Sequence, residues 1–178
     1  MTQKKYELLK NDTITAPNGK TLYRIKSLIN FGVVVAGSLG GYIEKEDNLA
    51  HSGNAWVYGN ALVSDNARVY GNAQVYGDAL VSDNAQVYGD ARVYGDARVC
   101  SKKDLVWFSN VGTEYGTLTV FKTKEGKLFA SRGCFKGTVD EFLAKSAKVH
   151  NERVKREYQL LIEVAKSRLL GESYVPNL

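Results

Sequence analysis

Small and hydrophobic residues recur with a period of six across the middle of the chain. Valine occupies every sixth position from Val57 to Val99, and an alanine lies two positions before each of these valines, from Ala55 to Ala97. Because side chains alternate across a β-strand, residues two positions apart point to the same side. Each Ala-x-Val triplet therefore predicts a short strand with its alanine and valine turned inward. The Gly-Asn, Gly-Asp and Asp-Asn pairs that follow are typical of turns.

A second period of 18 residues lies on top of the first. Residues 57–74 and 75–92 are identical at 14 of 18 positions. Three strand-and-turn units of six residues close one coil of a triangular prism, and the next coil stacks on it at the usual strand spacing of ~4.8 Å. The pattern predicts a parallel β-helix over residues 51–100, and we expect less regular coils to begin near Val33.

This repeat resembles the hexapeptide-repeat left-handed parallel β-helix family, whose members are usually trimers and include acyltransferases. The chain departs from the family where a tyrosine follows the valine, a place that usually holds a small or acidic residue. A looser resemblance links three stretches, TLYRIKSL, LGGYIEKEDNLAHSGNAWVYGNA and GTLTVFKT…GCFKGTVDEF, to phage and prophage proteins of unknown role. That resemblance implies no established activity.

The flanking segments predict a mainly β protein with an α+β C-terminal part. Residues 1–50 are expected to form a strand over 21–30 and a loop-rich cap over 31–50. Residues 101–178 predict a β-hairpin over 117–123 and 128–135, followed by two helices. Thr138 and Glu141 form a capping-box pattern at the start of the first helix, which should run to about His150. The second, over about 152–170, has an apolar stripe at helical spacing and a stop at Gly171. The stripe consists of Val154, Tyr158, Leu161, Ala165 and Leu169.

Composition adds few constraints. The 178-residue chain is 44% hydrophobic, and no apolar run approaches the ~18 residues of a membrane span. The charged start has no signal-peptide pattern. Two unpaired cysteines fit a reducing compartment, so we expect a cytoplasmic protein, in the host cell if it is phage-encoded. The net charge of +5 is concentrated after residue 100. Acidic residues interrupt it there, which disfavours a nucleic-acid surface.

The 18-residue period assigns outward side chains to three faces. The aromatic face carries Trp56, Tyr58, Gln74, Tyr76, Arg92 and Tyr94. The Leu/Ser face carries Leu62, Ser64, Leu80, Ser82, Arg98 and Cys100. The third face carries Arg68, Tyr70, Gln86 and Tyr88.

The Leu/Ser face is flat and partly apolar, a surface that proteins usually cover. We expect it to form a homotrimer interface through Leu62, Ser64, Leu80, Ser82 and Arg98; alternatively, the C-terminal segment covers it. The aromatic face offers candidates for binding a protein partner, namely Trp56, Tyr58, Tyr76, Arg92 and Tyr94, joined by Arg153 and Arg156 of the second helix. Its alternative role is to stabilise the coil edges by tyrosine stacking.

Enzymatic interpretations depend on two histidines, His51 and His150. Acyltransferases of the family use a histidine base, and His51, six positions before Val57, is expected at an inward valine position. No loop interrupts residues 51–100 to shape a pocket, and two histidines cannot supply a three-histidine metal site. We therefore predict no metal and no cofactor. The sequence favours a non-enzymatic, self-associating scaffold that captures a host protein or ligand. The alternatives are an acyltransferase using His51 and a nucleic-acid-binding protein using the C-terminal helices.

Overall fold

The computed structural model describes residues 3–171, which divide into two compact units at Lys102/Lys103. The N-terminal unit contains the repeat, and the C-terminal unit contains the two helices. The chain is mainly β, as predicted: a β-solenoid of about three coils is followed by a strand segment and two helices.

The repeat forms eight two-residue strands, and every inward alanine and valine of residues 55–99 is fully buried. Each of the first five strands pairs in parallel with the strand 18 residues later, as Val57 does with Val75 and Val63 with Val81. Three stacked ladders result, one for each predicted face. The strands are β4 (Trp56–Val57), β5 (Leu62–Val63), β6 (Arg68–Val69), β7 (Gln74–Val75), β8 (Leu80–Val81), β9 (Gln86–Val87), β10 (Arg92–Val93) and β11 (Arg98–Val99).

The solenoid begins earlier than residue 51. Strand β3 (Leu39–Ile43) pairs in parallel with β5, and Leu49 forms a parallel bridge with Val69. Ile43 and Leu49, both buried, therefore occupy the inward positions of a first coil. Ile43 precedes its partner Val63 by 20 residues instead of 18, so this coil is longer than the others. The loop-rich cap expected over 31–50 is thus only partly correct, because its second half belongs to the solenoid.

An antiparallel hairpin covers the open edge of the first coil. Strands β1 (Tyr6–Thr15) and β2 (Thr21–Ser27) pair with each other, and β2 pairs with β3. The strand predicted over 21–30 is present, but its hairpin partner β1 was not predicted. The hairpin satisfies backbone groups that an exposed sheet edge would leave unpaired.

The C-terminal unit is a four-stranded antiparallel meander with two helices. Its elements are β12 (Leu105–Val111), β13 (Gly116–Lys122), β14 (Leu128–Arg132), β15 (Phe135–Thr138), α1 (Val139–Val149) and α2 (Glu152–Leu170). The predicted hairpin corresponds to β13 and β14. The segment 128–135 is not one strand, however, because a turn at Gly133, with φ of 56°, divides it. Strand β12 was also not predicted.

The helix boundaries follow the predicted signals. The Thr138 hydroxyl accepts the Glu141 backbone N–H, and the Glu141 carboxylate accepts the Thr138 N–H. Gly171 caps α2 in the left-handed region, with φ of 58°. The buried face of α2 packs against β12, β13 and Phe142 of α1, and it consists of Val154, Tyr158, Ile162, Ala165 and Leu169. Leu161 is only partly buried, and Ile162 takes the central place.

Candidate functional site

His51 lies outside the prism, contrary to the expectation that it points inward. The longer first coil gives the inward position to Leu49, and His51 instead contacts the N-terminal strand. Its ring stacks on Tyr6 with centroids 4.3 Å apart and an interplanar angle of 11°. Its side chain remains 20% exposed.

Both ring nitrogens of His51 have hydrogen-bond partners. Nδ1 accepts the backbone N–H of Lys5 at 3.1 Å, and Nε2 lies 3.1 Å from the Glu46 carboxylate. A nitrogen that accepts carries no proton, so the proton resides on Nε2 and is donated to Glu46. A general base needs a free ring lone pair within reach of the substrate proton. In this arrangement His51 fastens the start of β1 to the first coil, and its role as a base stays a prediction.

The surrounding cluster is built to close the end of the prism. The Tyr6 hydroxyl, fully buried, lies 2.7 Å from the Leu49 carbonyl oxygen and 3.0 Å from that of Glu46. Burial raises the pKa of this phenol, as do the negative charges of Glu46 and Asp47. Hydrogen bonds from Lys4 and His51 lower the pKa of Glu46, and the bond from Lys4 has the larger effect.

Lys5 is the second buried polar group of this cluster. Its Nζ donates to the Ala55 carbonyl oxygen at 2.7 Å and lies 4.7 Å from the Phe31 ring centroid. Burial lowers the pKa of Lys5 to about 8. Because its amine is buried and hydrogen-bonded, Lys5 is a structural part of the cap. The amine is not accessible to a substrate.

The aromatic face is only partly available for binding. Trp56 is 1% exposed and packs edge-on against Tyr6 and Phe31, so it is not on the surface of this chain. Tyr58, Tyr76 and Tyr94 form a ladder with centroid separations of 6.4 and 5.7 Å. Tyr94 is buried, and Arg92 is exposed. Tyr76 and Tyr94 stack, whereas Tyr58 meets Tyr76 edge-on. The binding roles of Tyr58, Tyr76 and Arg92 remain predictions.

The Leu/Ser face is divided by the N-terminal hairpin. Leu62 packs against the cluster of Ala16, Leu22 and Tyr42, and Ser64 is buried with Asn18 Nδ2 at 3.3 Å from its hydroxyl. Further along the face, Leu80 and Arg98 are half-buried and Ser82 is buried. The trimer interface stays a prediction, and its exposed part is reduced to the region of Leu80 and Arg98.

The predicted arginines of α2 lie on its outer side. Arg153 and Arg156 are both exposed. One and two helical turns further on, Leu160 and Val164 are 48% and 46% exposed. The sequence analysis identified the arginines but not the exposed aliphatic side chains beside them. The apolar stripe of α2 that packs on the sheet dominates the pattern of this helix.

Sequence reasoning missed a cavity in the C-terminal unit. It has a volume of about 280 Å³ and is lined by residues from the β12–β13 turn, the β14–β15 turn, α1 and α2. Arg132, Lys145 and His150 are among its walls. His150 ends α1, and its Nδ1 lies 2.9 Å from the Ser146 hydroxyl. No local motif marks this site, because four separate segments form it.

Comparison with known proteins matches the repeat to a family model. Residues 55–71, 62–75, 73–87 and 85–101 each match the YdcK Beta solenoid repeat. The repeat segment is a hexapeptide-repeat β-solenoid. A related protein of Escherichia coli (strain K12), described as "Uncharacterized acetyltransferase YdcK", is 38% identical over 55 residues. The match covers 27% of this chain and 17% of that protein.

Two further observations concern the described residues as a whole. Within 3–171, no group of three or more His, Cys, Asp or Glu side chains is placed to hold a metal ion. Neither of the helices in this range is long and apolar enough to cross a membrane.

Proposed function

We propose that this protein is a non-enzymatic scaffold that self-associates through the solenoid and binds a protein partner through its C-terminal unit. The observation that carries the proposal is the closed, regular coil. Alanine and valine fill every inward position from 55 to 99, and short turns join the two-residue strands. Such a solenoid offers flat surfaces for other proteins, as repeat proteins commonly do.

The self-association surface in this proposal is the uncovered part of the Leu/Ser face. Leu80 and Arg98 lie in register on neighbouring strands of one sheet, and the small side chain of Ser82 leaves this strip flat. Flat, partly apolar sheet surfaces are favourable for contact with an identical copy around a symmetry axis. The homotrimer expected from the hexapeptide-repeat resemblance fits this surface.

The partner-binding surface in this proposal is the outer side of α2. Arg153 and Arg156 precede the exposed Leu160 and Val164 at helical spacing on the same side of α2. Arginine beside aliphatic side chains is typical of the surfaces at which proteins bind one another. A phage or prophage origin, and with it a host protein as the partner, stays a prediction from resemblance.

The solution mass measured by light scattering tests self-association. Leu80→Lys places a charge in the proposed interface, and Gln86→Lys places the same charge at the equivalent, half-buried position on the third face. We expect a three-chain mass for the wild type and Gln86→Lys, and a one-chain mass for Leu80→Lys. A monomeric wild type would contradict the proposed assembly, and equal behaviour of the two variants would contradict the choice of face.

Acyl transfer is the second candidate, favoured by the partial match to a protein described as an acetyltransferase. The hydrogen bonds of His51 argue against this residue as the base. Incubation with acetyl coenzyme A and a panel of amines and alcohols tests the point, with His51→Ala as the variant. We expect no turnover by either protein. Turnover by the wild type that His51→Ala abolishes would establish the acyltransferase and overturn the scaffold.

Nucleic-acid binding through the C-terminal helices remains the third alternative. Arg153 and Arg156 share α2 with Glu152 and Glu157, so the helix does not present a purely basic stripe. Affinity for DNA or RNA that falls steeply with added salt would support this alternative.

A further inference from the structure

A positively charged side chain, that of Arg132, is held in a fixed position in the wall of the cavity of the C-terminal unit. The Arg132 guanidinium lies directly on Gly116, where a Cβ atom would come within 2.6 Å of both Cζ and Nη1. Its Nη2 donates to the Val111 carbonyl oxygen at 3.2 Å. Any larger side chain at position 116 would displace the guanidinium, so the glycine makes room for it.

A second glycine brings a polar partner to the same corner. Gly112 has φ of +74°, and a Cβ atom there would collide with the Tyr158 hydroxyl and lie 3.3 Å from Arg132 Nη2. Its own N–H donates to the Glu157 carboxylate at 3.0 Å. Two glycines therefore leave room for the Arg132 guanidinium and the Tyr158 hydroxyl, and both residues line the cavity.

Arg132 retains an unused donor in this position. Its Nε–H is buried and has no acceptor among residues 3–171. Buried donors without an acceptor are uncommon in folded proteins, because each costs free energy. Arg132, which also lines the cavity, therefore carries a donor that no described residue satisfies.

The charges that line the cavity favour a single negative charge. Arg132 and Lys145 are positive and Glu114 is negative, which leaves an excess of one positive charge when His150 is counted as neutral. A guanidinium presents its N–H groups in a planar fork that matches a carboxylate. A phosphate group carries a larger charge at neutral pH and matches this excess less well.

The remaining walls combine aromatic and aliphatic side chains with the polar side chains of Thr113, Cys134, Ser146 and His150. The rings of Phe135 and Phe142 lie 5.3 Å apart, and Phe142 meets Tyr158 edge-on at 4.9 Å. Val149, 62% exposed, lies at the rim. Aromatic walls with a few convergent polar groups are characteristic of small-molecule sites, and about 280 Å³ is at the lower end of their size range.

We propose that this cavity binds a small carboxylate with a flat apolar body, with the carboxylate at Arg132 and Lys145 and the body against Phe135 and Phe142. This inference goes beyond the scaffold proposal and does not rest on it. The site belongs to the C-terminal unit alone, and its occupancy does not require self-association.

Titration with benzoate, followed by NMR of the assigned amide and side-chain N–H resonances of the full chain, tests the proposal. Benzamide is the neutral control of the same shape, and phenyl phosphate is the more highly charged control. We expect benzoate to shift the resonances of Arg132, Lys145 and His150 with a dissociation constant on the order of millimolar. Benzamide should bind about tenfold more weakly, because its amide oxygen accepts hydrogen bonds but carries no negative charge to pair with Arg132 and Lys145.

Lys145→Gln and Lys148→Gln are matched variants. Both residues are exposed on α1, but only Lys145 lines the cavity. We expect Lys145→Gln to weaken benzoate binding about tenfold and Lys148→Gln to leave it unchanged, with the folded spectra of both variants as the check on structure.

Three outcomes would overturn the proposal: no shifts at the cavity residues, equal binding of benzoate and benzamide, or equal loss in the two lysine variants. Tighter binding of phenyl phosphate than of benzoate would overturn the assignment to a carboxylate. None of these outcomes bears on the solution mass, so the test is independent of the scaffold.

Discussion

Replacement of Tyr6 by phenylalanine tests whether the N-terminal strand closes the solenoid through a buried hydrogen bond. The change removes one oxygen atom and keeps the ring that stacks on His51. The hydroxyl oxygen lies 2.7 Å from the Leu49 carbonyl oxygen, and the tyrosine is fully buried. Removal of one partner leaves a buried carbonyl without this donor, which costs about 1–3 kcal/mol.

Urea unfolding followed by tryptophan fluorescence measures this loss. A Trp107→Phe background, used for all proteins in the comparison, leaves Trp56 as the reporter of the N-terminal unit. Tyr70→Phe is the matched control, because the Tyr70 hydroxyl donates to the Gln86 side chain at 3.2 Å in a partly buried position. We expect that control to change the free energy of unfolding by less than about 0.5 kcal/mol.

The result that would refute the reasoning is equal stability of Tyr6→Phe and Tyr70→Phe. It would mean that the Tyr6 hydroxyl exchanges its water contacts for the Leu49 carbonyl at no net gain. The closure of the prism would then rest on the packing of Tyr6, Phe31 and Trp56 and on the hydrogen bonds of Lys5 and His51. A changed dependence on urea concentration would instead indicate that unfolding of the N-terminal unit is no longer a single transition.

Three further predictions concern stability, each measured as the free energy of unfolding. Gly77→Ala should destabilise the solenoid by at least about 1 kcal/mol more than Gly59→Ala, because both have positive φ but only a Cβ at position 77 would approach the backbone nitrogen of Gly95, at 2.7 Å; equal losses would contradict this. The pKa of Lys5 is lowered by burial to about 8 from the usual 10.5, so the unfolded state binds the extra proton in this window and stability should rise from about pH 8 towards pH 10. Lys5→Met should flatten that rise, and an unchanged pH profile would show that Lys5 is not the group responsible. Thr138→Ala should lower the free energy of unfolding of the C-terminal unit by about 1 kcal/mol, since it removes the helix cap. Thr138→Ser should keep most of that stability, because its hydroxyl can still accept the Glu141 N–H.

The solenoid was predictable because its pairing is encoded at short range. Each Ala-x-Val triplet marks a strand, and its partner lies one 18-residue period away, so Val57, Val75 and Val93 stack in one ladder. The helix boundaries at Thr138 and Gly171 were predictable for a similar reason, because capping depends on residues within one turn of the helix end.

The predicted inward position of His51 was wrong, because the first coil does not keep the six-residue period. Counting back six residues from Val57 assigns His51 to an inward place, but Ile43 and Leu49 show that the coil before β4 is longer. A period can be extrapolated only while each turn has the same length. No coil precedes the first one, so no neighbouring coil imposes that length on it. The hairpin of β1 and β2 lies next to the first coil instead.

The sequence by itself determined the repeat, the inward set of alanine and valine, and the two C-terminal helices, since these follow from periodicity and local capping. Only the tertiary structure decided that β1 covers the first coil, that Trp56 is buried, and that Arg132 and Tyr158 meet at Gly112. Those arrangements join segments tens of residues apart. Their pairing is chosen by the free energy of burial and hydrogen bonding in the assembled fold, and no local pattern records it.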